Sequence, residues 1–135
     1  MSSIKSPNAD FELKEIDIEI VEILLNLLKE KKETISYKEL ASKLSSNPNP
    51  HFGLTNPLFR IGRLCYQLGL PFITCCVITS SSKLPGAGIA DLYEACGIST
   101  NGKSVEKLYK EERKKVRDCN SWKKLADYLH IDVQM

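Results

Sequence analysis

The chain has 135 residues, of which 42% are hydrophobic and 27% charged, with a formal net charge of +2. That size suits one domain and is short for two separately buried cores. Ordinary apolar content excludes wholesale disorder, and so small a net charge does not by itself indicate nucleic acid.

Residues 1 to about 12 read as a frayed, polar start. Ile20, Ile23, Leu24, Leu27 and Leu28 recur at helical spacing and predict a helix over about 16–31. Glutamates and Asp17 load its front, and Lys29, Lys31 and Lys32 its end, as the helix dipole favours. Glu22 and Asn26 interrupt the run Ile20 to Leu28, which makes it a core helix rather than a signal peptide or membrane span. With no basic leader and apolar run read at the start, a cytoplasmic location and no membrane partner are expected.

Ser36-Tyr37-Lys38-Glu39 fits a capping box, and Ile35 with Leu40 fits the accompanying hydrophobic staple. A second helix is therefore expected to about Leu44. Ser45 to Asn56 holds Pro48, Pro50 and Gly53 and reads as a loop. Thr55 or Asn56 then caps a third helix with Pro57 in its first turn, running to Leu68 and stopped by Gly69 and Pro71. Leu58, Ile61, Cys65 and Leu68 share its apolar face, while Asn56, Arg60, Arg63 and Gln67 share the other, expected to face solvent. Gly62, in mid-helix, implies close approach by another backbone.

Phe72 to Thr79 reads as a strand, Ser80 to Gly88 as a turn or wing, and Ile89 to Ala95 as a returning strand or, preferred, a short helix. A basic helix is predicted from Ser104 to about Asp118. Asn120 or Ser121 opens a last helix with the stripe Trp122, Leu125, Ala126 and Leu129. Charge is divided along the chain. Residues 1–40 carry six lysines against nine carboxylates, and residues 103–124 nine cations against Glu106, Glu111, Glu112 and Asp118. Glu111-Glu112 reads as a solvated pair in a mixed-charge helix.

Motifs for chemistry are absent. The five cysteines, at 65, 75, 76, 96 and 119, form no CxxC pair and are expected to be reduced. Cys75 and Cys76 would point to opposite faces of a strand, so no bond is expected between them. His51 and His130 lack a second ligand at metal spacing, and neither metal nor cofactor is expected. Leu-Pro-Gly-Ala-Gly at 84–88 lacks the Lys-Ser/Thr of a phosphate loop. Ser80-Ser81-Ser82 has no His/Asp partners. A non-enzymatic role is expected.

The expected fold class is α+β and mostly helical, a single domain over 1–135. It comprises a winged helix-turn-helix-like core at about 16–95, with a small β wing, and a basic C-terminal helical extension at about 103–130. In that arrangement the third helix enters a major groove and the wing meets the backbone. Arg60 and Arg63 then suit guanine edges or phosphates, and Asn56 and Gln67 suit adenine.

Ser36-Tyr37-Lys38-Glu39-Leu40-Ala41, then Ile61-Gly62, then Pro71-Phe72-Ile73-Thr74-Cys75-Cys76 resembles the DNA-binding region of alkylguanine-DNA alkyltransferases and alkyltransferase-like proteins. That family reads Thr/Ser-Tyr-Gly-x-Leu-Ala, Arg-Ala-Val-Gly and Pro-Cys-His-Arg. The resemblance spans roughly 34–89 and implies DNA binding, with Tyr37 at the family's DNA-contacting tyrosine. Cys76 overlays the alkyl-accepting cysteine, but Val77 and Ile78 replace its His-Arg, so alkyl transfer is not implied. The family's base-flipping arginine falls on Phe59. More loosely, Tyr37-x-Glu39-Leu40-Ala41, Gly69-Leu70-Pro71 and Leu84-Pro85-Gly86-x-Gly88 resemble small uncharacterised bacterial and phage proteins, which implies no known activity.

The expected function is thus non-catalytic DNA binding through helix 57–68 and wing 80–88. Its contacts would be Tyr37, Asn56, Arg60, Arg63, Gln67, Lys83, Lys107, Lys110, Lys114 and Arg117. The alternative is a protein-interaction or inhibitor module, such as a phage-type factor acting on a host defence or nucleic-acid enzyme.

Overall fold

A computed structural model describes residues 4–44, 55–78 and 88–132 and is α+β, mostly helical. The start of the chain is more ordered than its polarity predicts. Strands β1 (Ile4–Lys5) and β2 (Glu12–Leu13) pair antiparallel, with Ile4 opposite Leu13. Leu13 has no exposure, and burying it anchors a hairpin that composition alone assigns to a frayed end.

Helix α1 (Glu15–Lys29) follows, with Ile20, Val21, Leu24 and Leu25 in the core. β3 (Ile35–Ser36) leads into α2 (Tyr37–Lys43). Ser36 caps that helix as its motif predicts, its Oγ accepting from the Glu39 amide at 3.1 Å. Both staple residues, Ile35 and Leu40, are buried.

Helix α3 (Thr55–Gln67) packs its apolar face on α1. It ends where glycine permits: Gly69 takes φ +75°, and the Gly69 and Leu70 amides donate to Tyr66 O and Cys65 O. The expected strand at 72–79 is mostly a 3-10 turn, Ile73–Cys76, with only β4 (Val77–Ile78) extended. β4 pairs in parallel with β3, Ile35 beside Val77. The β propensity of the segment gives way to local i→i+3 bonding, while the buried Ile73 and Val77 satisfy the core. Residues 79–87, which hold the expected wing and Lys83, lie outside the described residues, as does 45–54 of the expected loop.

Helix α4 (Gly88–Ala95) is the short helix expected there. α5 (Val105–Asp118) is capped by Ser104, whose Oγ accepts from the Lys107 amide. α6 (Lys123–Tyr128) starts later than expected, after Trp122, which is itself buried. No helix among the described residues is long and apolar enough to cross a membrane.

Gly62 is explained by a side chain rather than by the expected backbone. A Cβ there would stand 2.6 and 2.7 Å from the two δ-methyls of Leu92 on α4. Alanine would gain about 1 kcal/mol of helix propensity but overpack a buried contact, at about 1–3 kcal/mol. Gly62→Ala is expected to lower stability by about 1 kcal/mol in urea denaturation. The loss should shrink when Leu92→Ala is already present, giving a non-additive double-mutant cycle.

Candidate functional site

Among the described residues, two surfaces bear on contact with a partner: the polar face of α3 and a groove beside α5. The α3 face carried the expectation of DNA contact, and its surroundings correct the expected exposure. Arg60 donates from Nε to Asp17 Oδ2 at 2.7 Å and from Nη2 to Asp17 Oδ1 at 2.9 Å. Asp17 has no exposure, and its Oδ2 also accepts from the Lys14 amide at 2.8 Å. This is a buried bidentate pair, the geometry in which arginine is strongest.

One and two turns further on, Arg63 and Gln67 meet the tip of the β1–β2 hairpin. Arg63 Nη2 lies 2.6 Å from Asp10 Oδ2, and its guanidinium stacks 4.5 Å from the Phe11 ring centre. Gln67 Nε2 donates to Asp10, and Gln67 Oε1 accepts from the Asn8 amide. The side chains read as a solvent-facing stripe are thus tied to the chain's own carboxylates. Asn56 stays exposed at the start of α3, and Tyr37 is half-buried against the core.

The basic extension is divided. Arg117 and Arg113 both donate to Glu33, at 3.1 and 2.8 Å, fastening α5 beside the start of β3. Lys107, Lys110 and Lys114 are exposed, and none has an ion pair within 4 Å among the described residues. Hydrogen bonding from Arg117, with the nearby charge of Arg113, holds the Glu33 carboxyl below its ordinary range.

The groove lies between the end of α3, the α4–α5 connection and α5, and has a volume of about 920 Å³. Leu70, Phe72, Ile98 and Leu108 supply apolar lining. Lys103, Glu111, Lys114, Lys115 and Asp118 give a margin of both signs, with Lys103 Nζ 2.7 Å from Glu111 Oε1. Tyr66, also on the wall, is 46% exposed.

Glu112 corrects the reading of Glu111-Glu112 as a solvated pair. It is 3% exposed, and its oxygens accept from the Phe72 amide and the Tyr93 hydroxyl, each at 2.8 Å. Burial and that bond to Glu112 push the Tyr93 hydroxyl pKa up. Sequence reasoning missed both buried carboxylates, although a signal was present. Asp17 is in helical register with Ile20, Val21 and Leu24, and Glu112 with Leu108, Tyr109 and Val116. An acid on an apolar stripe needs a buried donor.

No group of three or more His, Cys, Asp or Glu side chains suited to a metal ion occurs among the described residues. No family model matches this sequence, and neither a curated protein nor a solved structure matches it significantly.

Arg60→Met would leave the Asp17 carboxylate buried against a single amide donor. A loss of about 3 kcal/mol is expected, read from the urea midpoint, because a stranded buried charge costs more than the intact pair contributes. The Asp10 contact should respond to pH. Hydrogen bonds from Ser6 and Gln67, with the Arg63 charge, hold its carboxyl below the ordinary 3.8. A depressed folded value means the contact stabilises fully above that ordinary value and loses its effect as pH falls through the lower folded one. NMR of the Arg63 side chain and the Asn8 amide should show the hairpin docked at neutral pH and loosening only below about pH 4. Asp10→Asn should show the loosened signals at neutral pH as well.

Proposed function

We propose that this chain is a non-catalytic protein-interaction module that holds a peptide segment of its partner in the groove beside α5. The observation that carries this reading is the groove itself: apolar lining, a margin of both charge signs and an exposed tyrosine. Its volume falls within the range of ligand sites, and exposed tyrosines are enriched where interfaces concentrate binding energy. A duplex backbone favours a surface of one sign, whereas the mixed margin of Lys103, Glu111, Lys114, Lys115 and Asp118 favours a peptide carrying both.

A second reading keeps nucleic acid. The order α1, β3, α2, α3, β4 supports a winged-helix-like core, and the resemblance to alkyltransferase-like proteins supports DNA. With Arg60 and Arg63 bound to Asp17 and Asp10, the contacts would move to Lys107, Lys110 and Lys114. These exposed cations favour nonspecific phosphate contact over base readout.

The two readings separate in one set of experiments. Peptides selected from a random displayed library should bind the wild-type chain, and Tyr66→Ala or Asp118→Lys should weaken them about tenfold by fluorescence anisotropy. Failure to enrich any peptide, or equal binding by both variants, rejects the groove. Duplex binding in low salt that is lost in a Lys107→Glu, Lys110→Glu, Lys114→Glu variant selects the second reading. Its log–log salt slope should then fall by about 0.9 for each phosphate contact removed.

A further inference from the structure

The backbone amides along the groove are already engaged within the chain. Gly69 N donates to Tyr66 O and Leu70 N to Cys65 O, closing the end of α3. Phe72 N donates to Glu112, and Ile98 N to Tyr93 O. In the α4–α5 connection, Asn101 N donates to Ser99 Oγ and Lys103 N to Thr100 O. Pro71, also on the wall, has no amide hydrogen to give. No strand among the described residues lines the groove either.

These facts bear on the shape of an occupant. An extended segment laid here would bring its carbonyls against amides that are spent. Buried backbone groups without partners cost free energy, and strand addition depends on an open sheet edge. A helix satisfies its backbone internally and asks only for side-chain complementarity. The wall offers that complementarity at helical spacing. Leu108, Glu111, Lys115 and Asp118 of α5 line the groove at i, i+3, i+7 and i+10. At about 1.5 Å per residue this stripe runs for about 15 Å, close to three turns.

Charge narrows the occupant further. Lys103 is paired with Glu111 at 2.7 Å, and Lys115 with Glu112 at 3.6 Å. Lys114 and Asp118 also line the groove, and both are exposed. Neither has an ion pair within 4 Å among the described residues. They are four residues apart on α5, one turn along its surface. Tyr66, 46% exposed on the facing wall, supplies an aromatic contact at the mouth.

We propose that the groove takes an amphipathic α-helix of about three turns, with an acidic side chain set against Lys114 and a basic one, a turn away, against Asp118. Its apolar stripe rests on Leu70, Phe72, Ile98 and Leu108. This inference rests on the peptide reading above and specifies the conformation and charge order of that peptide. The free pair on α5 gives the order, because like charges brought opposite each other would repel.

The test starts from a displayed library of random 16-residue peptides screened against the full chain. A peptide whose binding is weakened by Tyr66→Ala is labelled with carbon-13. Its chemical shifts in the complex should report a continuous helix of about three turns. Proline at a central position where alanine is tolerated should weaken binding about a hundredfold, as a helix interior requires. The double variant Lys114→Glu, Asp118→Lys should weaken the peptide about tenfold, and exchanging the peptide's own acid and base should restore affinity. Both substituted side chains are exposed, so the fold is expected to survive them. A Tyr66-dependent peptide that binds extended, or accepts the proline, overturns the helix while leaving the groove reading in place. Loss without recovery in the exchanged peptide overturns the charge order. Failure of any peptide to enrich removes the groove reading and this inference with it.

Discussion

The Asp17–Arg60 pair is the constraint on which the rest of the molecule depends. A carboxylate with no solvent exposure is tolerated only when donors replace the water it loses. Asp17 has three: the two guanidinium nitrogens of Arg60 and the Lys14 amide. They fix the first turn of α1 against the middle of α3. Arg63 and Gln67, further along the same face, are thereby set beside the β1–β2 hairpin, where Asp10 and Phe11 receive them. The polar stripe of α3 is in this way an internal joint of the domain.

A second buried carboxylate organises the other half. Glu112 accepts from the Phe72 amide ahead of the 3-10 turn and from Tyr93 on α4, so one side chain of α5 holds two other segments. The same helix then presents different chemistry around its circumference. Leu108, Glu111 and Lys115 line the groove, Arg113 stacks on the Tyr109 ring, and Lys110 faces solvent. The Glu33 contacts of Arg113 and Arg117 secure the helix from outside. They are exposed enough that their contribution to stability is small compared with that of Glu112.

Helices were legible because their signals are local. The Ile20–Leu28 periodicity, the Ser36 cap and the Gly69 stop each act within a few residues of their position, and each lies where the pattern indicates. The two-residue strands were not legible, since so short a ladder has no period and exists only because its partner is held nearby. The 3-10 turn at Ile73–Cys76 was read as strand for a related reason. Its β-branched and apolar composition reports burial, and burial is satisfied equally by a tight turn.

By itself, the amino-acid sequence determined where the helices run, which of their faces are apolar, and how charge divides between the acidic start and the basic α5. Those properties depend on side-chain period and on interactions a few residues apart. Only the tertiary structure decided which cations remain exposed. Arg60 and Asp17 are 43 positions apart, Arg113 and Glu33 80 apart. A cation on a helix surface is written in the same letters whether it faces solvent or a carboxylate brought from far along the chain. The difference lies in the packing of whole helices, which sets the distance between charges and the water around them.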